Sequence, residues 1–232
     1  MSDILADLPL FPLNTVLFPG GLLPLKVFEA RYIDMVRACL RDEVPFGVCL
    51  LHSGAEVAQP GMPSTPETIG CLAEIIEIAI EQFGLMSLRT RGTSRFRLLE
   101  WHAESDGLLR GNGSLIAADP PVHGDAHLER LGICAEVLER IITTFGERDP
   151  DTLPFLEPFE LSDPAWVSNR IGEILPISLR ARQKLMELED AAARLEVVHH
   201  YMLQHGMLYR TRRYSRVPFS PSSKRRTGAG SP

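Results

Sequence analysis

Few residues of this sequence have the type and spacing that chemistry requires. His123 and His127 lie four positions apart, a spacing that can place two imidazoles on one zinc ion. Gly124 separates them near the start of a helical stretch, and no third ligand is evident close by. The sequence therefore predicts no metal site.

Motifs for nucleophilic catalysis and for phosphate binding are missing. The sequence has neither the G-x-x-x-x-G-K-[ST] phosphate loop nor the G-x-S-x-G turn of α/β-hydrolases. The stretch Gly111-Asn112-Gly113 lacks a lysine and starts no helix. Ser223 precedes Lys224 in a segment rich in proline, serine and glycine, where nothing would hold a nucleophile against its base. We expect neither a catalytic residue nor a cofactor.

Two other sets of titratable residues fit exposed surfaces better than sites. Glu74, Glu77 and Glu81 fall in an extended stretch and are expected to face solvent. The histidines of the last helical stretch, His199-His200 and His205, lie among polar residues, where solvent exposure or small packing contacts explain them better than metal binding.

Charge is divided unevenly along the 232 residues. The net charge of −6 includes seven basic residues and no acidic one after position 209, so residues 1–209 carry −13. This acidic body disfavours a nucleic-acid interface on the folded part. The basic end, RTRRYSRVPFSPSSKRRTGAGSP, is predicted to be disordered. It could contact RNA, anionic lipid or an acidic partner, but a solubilising tail is the simpler interpretation.

The long apolar stretch from Leu8 to Tyr32 predicts strands rather than a membrane helix. It carries prolines at positions 9, 12, 19 and 24, and each would cost a helix about 3 kcal/mol. A membrane span needs about 20 apolar residues in one helix. The pattern fits short extended segments with prolines at their edges and bends: Leu8–Leu10, Val16–Phe18 and Leu22–Val27.

Two features predict a cytoplasmic location. Asp3 and Asp7 precede the apolar stretch, where an export signal would carry basic residues. The four cysteines are far apart in apolar contexts and form no C-x-x-C pair, as expected of buried free thiols in a reducing compartment.

The rest of the first half predicts one helix among several strands. Apolar residues recur at helical spacing between Glu29 and Asp42, and the stretch His52–Thr68 has the glycines and prolines of a loop. Further strands are predicted over Phe46–Leu51, Ile69–Ile80, Gly84–Arg91, Ser94–Trp101 and Leu108–Ala117. Such a pattern indicates a small β-rich, barrel-like domain.

The second half has helical periodicity. Helices are predicted over Ala126–Phe145, Pro164–Leu175 and Leu179–Gln204, and Asp163 and Ser178 can cap the last two. Asp119-Pro120-Pro121 separates the two patterns. The sequence thus predicts an α+β chain with a β-rich unit over residues 1–120, a helical bundle over 121–209 and the basic tail over 210–232.

An ordered set of short motifs resembles one known family. In the strand half these are Leu8-Pro9-Leu10, Val16-Leu17-Phe18-Pro19-Gly20, Leu23-Pro24-Leu25, Phe28-Glu29-Ala30-Arg31-Tyr32, Ile69-Gly70-Cys71-Leu72-Ala73 and Gly92-Thr93-Ser94-Arg95-Phe96-Arg97. In the helical half they are Trp166-Val167-Ser168-Asn169-Arg170-Ile171, Gln183-Lys184-Leu185-Met186-Glu187 and Ala193-Arg194-Leu195-Glu196. Together, from about residue 8 to 204, they resemble the N-terminal, substrate-binding domain of the Lon protease family. The resemblance implies a pseudo-barrel similar to the PUA fold, followed by a helical bundle.

The resemblance implies binding rather than catalysis. The Lon domain contributes to the recognition of unfolded or damaged polypeptides and to assembly, and related domains occur in adaptor proteins. Lon continues into a nucleotide-driven motor and a Ser–Lys peptidase, and this sequence shows the motifs of neither. We therefore expect a non-catalytic module that binds unfolded or exposed polypeptide, as an adaptor in protein quality control with a protease or a chaperone as partner.

The expected binding surface consists of apolar groups around Phe18, Leu22 and Leu23, rimmed by Arg31 and Arg95. Plain core packing is the alternative for each of these residues. Two other functions stay open: a PUA-like domain that binds a small molecule or RNA, and an enzyme with an unrecognised site. A contiguous exposed apolar patch of roughly several hundred Å² would favour polypeptide, whereas an enclosed cleft with convergent polar groups would favour a small molecule.

Overall fold

The structure of the chain is a computed structural model that describes residues 4–54, 64–81, 84–148 and 153–208. Strands occupy the first half of the chain and helices most of the second, which confirms the predicted α+β class. The strands are β1 (Ile4–Leu13), β2 (Leu22–Val27), β3 (Phe46–Ser53), β4 (Thr65–Ile80), β5 (Met86–Ala103) and β6 (Leu109–Leu115). The helices are α1 (Ala30–Asp42), α2 (Asp125–Arg148), α3 (Pro164–Ile174), α4 (Leu179–Glu187) and α5 (Ala191–Gln204).

The six strands form one sheet in the order β2-β5-β4-β3-β1-β6, and a further pairing of β5 with β6 closes it into a pseudo-barrel. β1 pairs with β3 in parallel, and the other pairings among the described strands are antiparallel. The apolar face of α1, which includes Tyr32, Met35 and Val36, packs against β-strand residues such as Phe46 and Leu88.

β5 runs without interruption through a point where the sequence predicted a break between two strands. The predicted strands Gly84–Arg91 and Ser94–Trp101 are one strand of 18 residues, and Gly92 lies in its interior. A Cβ atom on Gly92 would lie 2.1 Å from the Phe18 carbonyl oxygen. Gly20 donates a hydrogen bond to the Gly92 carbonyl, and Gly92 donates one to the Gly21 carbonyl, each at 2.8 Å. Gly92 therefore serves the close approach of another segment rather than a turn.

The prediction of a strand over Val16–Phe18 is wrong. These residues form no strand, yet all three side chains are buried. The segment connects two apolar clusters. Val16 and Phe18 pack in the cluster shared with the helices, whereas Leu17 packs in the core of the barrel. β3 and β4 also extend into the predicted loop over His52–Thr68, to Ser53 and from Thr65.

The predicted long helix over Leu179–Gln204 is divided in two. α4 ends before Leu188, and Asp190 starts α5 by accepting a hydrogen bond from the Ala192 backbone N–H at 2.8 Å. The two predicted caps are confirmed: Asp163 accepts from the backbone of Ala165 and Trp166, and Ser178 accepts from that of Ala181. These bonds satisfy N–H groups that the first turn of a helix leaves without partners.

The helical half packs on the barrel through a common core. Phe18, Leu50 and Ile69 share one apolar cluster with residues of α2, α3, α4 and α5. Gln183 on α4 also donates a hydrogen bond to the Ile69 carbonyl at 2.9 Å. No helix or strand runs through Pro120 and Pro121. The division into separate units over residues 1–120 and 121–209 stays a prediction.

The predicted basic tail over 210–232 lies outside the described residues. Among the residues that the structure does describe, no helix is long and apolar enough to cross a membrane.

Candidate functional site

Three strand segments form a small antiparallel sheet at one end of the pseudo-barrel, which we call the arm. It consists of Leu22–Val27 of β2, Glu74–Ile80 of β4 and Met86–Arg91 of β5. The β5 segment lies in the middle, so that Leu88 pairs with Leu25 on one side and with Ile78 on the other. Because directly paired residues point to the same face of a sheet, the register fixes which side chains lie together.

The outer face of the arm is polar. Arg91 donates to Glu74 at 2.7 Å and Arg89 donates to Glu77 at 3.1 Å, both across the β4–β5 pair. The Ser87 hydroxyl donates to Glu81. All three glutamates are exposed, which confirms that they are an ordinary solvent-facing set. Exposed ion pairs of this kind add little stability.

The inner face of the arm is apolar and only partly covered. Val27, Met86 and Leu88 are buried in the cluster beneath α1. Farther out, Ile78 pairs with Leu88 and Ile80 pairs with Met86, yet these isoleucine side chains are 41% and 74% exposed. Ile76 is 37% exposed and lies at an irregularity of the β4–β5 register. The arm therefore presents large aliphatic side chains to solvent in a row along β4.

Phe18, one of the residues expected at a binding surface, is fully buried. Its ring faces Gly172 of α3, and a Cβ atom on that glycine would lie 3.2 Å from the ring. The next residue, Pro19, accepts a hydrogen bond through its carbonyl from Arg170 at 2.8 Å. Phe18 thus joins the strand half to α3 and has no surface to offer a ligand.

Arg95 is buried as well, in an ionic cluster between the two halves of the chain. It donates to Asp119 at 2.6 Å, and Arg194 of α5 donates to the other carboxylate oxygen of Asp119. Both arginines also donate to the Leu188 carbonyl, Arg194 at 2.7 Å. Arg194 further donates to the Ser168 hydroxyl at 3.0 Å. The role that these contacts support is structural.

The other three expected site residues lie apart from that cluster. Arg31 is nearly buried, donates to the Gly107 carbonyl at 2.6 Å and pairs with Glu29 at 2.9 Å. Leu22 and Leu23 are half-buried on β2 and belong to the arm. Leu23 packs on the cluster beneath α1, whereas Leu22 faces the opposite side of the sheet. The structure therefore gathers the five expected residues into no single surface.

The exposed isoleucines of β4 were missed at the level of sequence. The stretch Glu74-Ile75-Ile76-Glu77-Ile78-Ala79-Ile80-Glu81 alternates large aliphatic residues with acidic or small ones after Glu77. Such alternation predicts a strand with one apolar face. Where no other element covers that face, the apolar side chains are exposed, and the alternation alone does not tell the two cases apart.

Several grooves open on the described surface, with different linings. A groove of about 810 Å³ lies on the arm between Lys26, Ile78 and Arg89. One of about 480 Å³ lies between α2 and α3, lined by apolar residues such as Ile141 and Ile174. A cavity of about 170 Å³ at the junction of the two halves is lined by Arg95, Asp119 and Arg194, whose charged groups already bind one another. It is smaller than the roughly 300–1,000 Å³ typical of small-molecule sites.

The described residues hold one group of side chains that could ligate a metal, formed by Asp7, His102 and Glu104. All three are exposed. Arg110 lies against this group, 3.0 Å from Asp7 and 2.5 Å from Glu104. The guanidinium of Arg110 neutralises the two carboxylates, a role that a bound cation would otherwise have. His123 and His127 belong to no such group among the described residues.

The thiols are poorly placed for chemistry. Cys39, Cys49, Cys71 and Cys134 are all buried and free, as the sequence predicted. Burial raises the pKa of Cys71 and of Cys134 to about 12. Because the thiolate is the nucleophile, these groups are unreactive near neutral pH while the protein is folded.

One carboxyl group at the junction is strongly perturbed. Glu173 of α3 accepts a hydrogen bond from Arg170 at 2.8 Å, and its side chain is 17% exposed. Burial raises the pKa of Glu173 to about 7, against the opposing charges of Arg170 and Arg182. Burial also lowers the pKa of Arg170, whose side chain is fully enclosed. The pair lies in the interface between α3 and the segment that leads from Pro19 into β2, since a Cβ atom on Gly21 would lie 2.3 Å from a Glu173 carboxylate oxygen.

The chain matches the sequence model of a known protein family. The model of the ATP-dependent protease La (LON) substrate-binding domain matches residues 7–204. The chain belongs to this family. The match includes all strands and helices named above apart from the first residues of β1.

Solved structures agree with this assignment. The Lon N-terminal domain protein from Xanthomonas campestris is 33% identical, with a TM-score of 0.65 over 85% of this chain and 99% of its own. The N-terminal domain of Lon protease from the Mycobacterium avium complex has a TM-score of 0.54 at 15% identity, a similarity of fold alone.

Full-length Lon proteases match the same region. Lon protease of Anaeromyxobacter dehalogenans is 29% identical over 199 residues, and Lon protease 2 of Myxococcus xanthus is 28% identical over 199. Each match covers 85% of this chain and 23% of the protease. The chain thus spans about a quarter of the length of these relatives.

Proposed function

We propose that the chain is a non-catalytic, cytoplasmic module that binds unfolded or exposed polypeptide and acts as an adaptor in protein quality control. The observation that carries this proposal is the row of exposed isoleucines on the arm, in a chain whose family is defined by substrate binding. Proteases or chaperones are the partners to which such a module would present its client.

The exposed aliphatic groups lie close enough together to act as one surface. Single apolar residues on a protein surface are ordinary, but contiguous apolar patches mark interaction sites. Ile78 and Ile80 project from the same face two positions apart, and the half-buried Leu25 lies on that face two strands away, with Leu88 between it and Ile78. A partner that covers this face would bury aliphatic surface without needing a specific sequence.

Charge favours one class of client. Residues 1–209 carry a net charge of −13, so a basic apolar segment is attracted and an acidic one is repelled. The same charge opposes nucleic acid. The small cavity at the junction supports the small-molecule alternative poorly, because its charged side chains are already paired with one another.

A binding assay tests the proposal directly. Fluorescently labelled ribonuclease A, reduced and carboxamidomethylated so that it stays unfolded, is titrated with the full chain and followed by anisotropy. We expect a Kd in the micromolar range or weaker, because a small apolar patch offers few fully desolvated anchors. Native ribonuclease A should not bind. Equal binding of the native and unfolded forms, or no binding of either, contradicts the proposal.

A matched pair of variants tests whether the site lies on the arm. Ile78→Ser with Ile80→Ser removes aliphatic surface from the inner face. Ala79→Ser changes the residue between them, which points to the outer face. We expect the double variant to weaken binding by about tenfold or more, and the control to bind as the wild type does. Circular dichroism checks that each variant keeps the fold.

A further inference from the structure

Along the arm, the edge of β4 that faces away from β5 is free. β3 pairs with β4 only as far as Ala73, which lies opposite Phe46. From Glu74 to Ile80, β4 pairs with β5 on one side, and no strand among the described residues pairs with the other. A free edge of this kind presents backbone donors and acceptors that another strand can use.

The register shows which residues present those groups. In an antiparallel pair, opposed residues alternate between those that bond each other and those whose backbone groups point away. The Glu81 N–H donates to the Leu85 carbonyl at 2.8 Å, and the pairing continues from there without a shift to Glu77 opposite Arg89. Ile78 and Ile80 are therefore the residues that turn their N–H and C=O groups towards the free edge, while Ala79 bonds to β5.

The opposite edge of the arm is blocked. The Gly92 N–H donates to the Gly21 carbonyl, so that Leu22, Pro24 and Lys26 are the β2 residues that face away from β5 by the same alternation. Pro24 has no N–H to donate, and Lys26 carries a charge; both features discourage strand addition. Along Glu74–Ile80 of β4 there is neither a proline nor a lysine. The two edges of one small sheet thus differ in their capacity to accept a strand.

A groove continues the free edge towards α1. It has a volume of about 440 Å³ and is lined by Leu40, Val44 and Ile75, among others. Leu40 and Val44 are exposed, and Glu43 lies beside them. A strand placed along β4 would follow the line of β3 beyond Phe46 and meet these side chains. The groove adjoins the free edge at Glu74 and Ile75, and we call the edge and the groove together the track.

We propose that an extended segment of non-native polypeptide adds to the free edge of β4 as an antiparallel strand. The inference rests on the proposed function and specifies its mode. Native proteins have few unpaired backbone groups to offer, whereas unfolded segments have them throughout. Hydrogen bonds to the backbone of Ile78 and Ile80 do not depend on the sequence of the client. The client side chains opposite these two residues fall on the apolar face. A client segment in which every second residue is apolar, flanked by basic residues, therefore suits both the track and the negative charge of residues 1–209.

Methylated peptides test whether backbone bonds at this edge carry binding. The probe is a short peptide of alternating valine and threonine with lysine at each end. When valine lies opposite Ile78, its own N–H and C=O point at β4, and those of threonine point away. We expect N-methylation of the valines to weaken binding by about tenfold or more and N-methylation of the threonines to have little effect. Equal binding of both methylated peptides, or preference for the N-methylvaline peptide, overturns the inference.

Amide exchange supplies a second readout that needs no variant. In the full chain, the amide protons of Ile78 and Ile80 should exchange faster than that of Ala79, and the unmethylated peptide should slow them selectively. Uniform protection, or protection only at α2 and α3, overturns the inference. A symmetrical dimer formed through β4 in the absence of peptide, detected by sedimentation, also overturns it.

The variant Ile78→Pro separates this inference from the proposed function. It removes an edge donor and leaves the bonds to β5 in place. Because proline also replaces the isoleucine side chain, Ile78→Ala, which shortens the side chain but keeps the N–H, is the matched control. A loss of binding to unfolded ribonuclease A well beyond that of Ile78→Ala, at unchanged circular dichroism, supports strand addition. Binding by Ile78→Pro no weaker than that by Ile78→Ala overturns strand addition while the proposed function stands. If the variant does not fold, the methylated peptides decide the matter with the wild-type chain.

Discussion

The Arg95 guanidinium lies 2.6 Å from the Asp119 carboxylate, and this ion pair joins β5 to the segment that connects the strand half with the helical half. Arg194 of α5 binds the second oxygen of the same carboxylate. One buried acid therefore holds two buried bases from opposite halves of the chain. Because Arg95 and Arg194 share Asp119, the removal of its carboxylate leaves both guanidinium groups without this counter-ion.

We expect Asp119→Ala to destabilise the fold by about 3–5 kcal/mol, since two guanidinium groups would lose their buried counter-ion. Urea denaturation measures the change. Glu189→Ala is the matched control, because Glu189, between α4 and α5, pairs with Arg97 of the same strand β5 at 3.0 Å, with side chains about half exposed. An exposed pair should contribute about 0–1 kcal/mol. Equal losses in the two variants would show that the buried cluster does not hold the halves together.

Two glycines give opposite expectations for the same substitution. Gly92→Ala would place a Cβ atom 2.1 Å from the Phe18 carbonyl, so either β5 or the Phe18 segment must move. We expect a loss of several kcal/mol, roughly as for an overpacked core. Gly132→Ala on α2 meets no atom within 4 Å and should stabilise by up to about 1 kcal/mol. Thermal unfolding of both variants checks the contrast, and a neutral Gly92→Ala would contradict the close approach.

The sequence predicted features that local chemistry determines. Asp163 and Ser178 start helices because their side chains accept from the backbone within three residues. The division of the last helix was missed because it depends on distant partners. Arg95 and Arg194 both donate to the Leu188 carbonyl, and Arg95 lies about ninety positions earlier in the chain. Gly92 was mistaken for a break for the same reason: its neighbour is Phe18.

Of the residues expected at the binding surface, Leu22 and Leu23 lie on the arm, and their role in binding stays a prediction. Phe18 and Arg95 come from two motifs of the same ordered set, but their burial between the two halves is a property of the folded chain. A conspicuous aromatic or arginine fits a core and a binding surface equally well. Ile78 and Ile80 carried the alternation of a strand, and only the end of the β3–β4 pairing at Ala73 reveals that their edge is free.

The stability of the protein should depend on pH through Glu173. Its pKa is about 7 in the fold against an ordinary value of 4.5, so between these values the folded chain keeps a proton that the unfolded chain has lost. Stability from this group is therefore greatest at low pH and falls as the pH rises towards and through 7. Glu173→Gln cannot ionise, so its stability relative to the wild type should increase from pH 5 to pH 8 in urea denaturation. Parallel pH curves would contradict the shift.

The final prediction compares the two edges of the arm. Leu22→Ser with Leu23→Ser alters β2, the strand whose edge Pro24 blocks, and Ile78→Ser with Ile80→Ser alters β4. If clients bind mainly along β4, the β4 pair should weaken the binding of unfolded ribonuclease A by about tenfold and the β2 pair by much less, because Leu23 is partly committed to the cluster beneath α1. Salt should have a modest effect, since aliphatic contacts and backbone hydrogen bonds are screened little. Unfolded, carboxymethylated α-lactalbumin, which is acidic, should bind more weakly than basic ribonuclease A at low salt, and the difference should shrink as salt is added. A larger loss from the β2 pair, with both folds intact by circular dichroism, would move the site to Leu22 and Leu23.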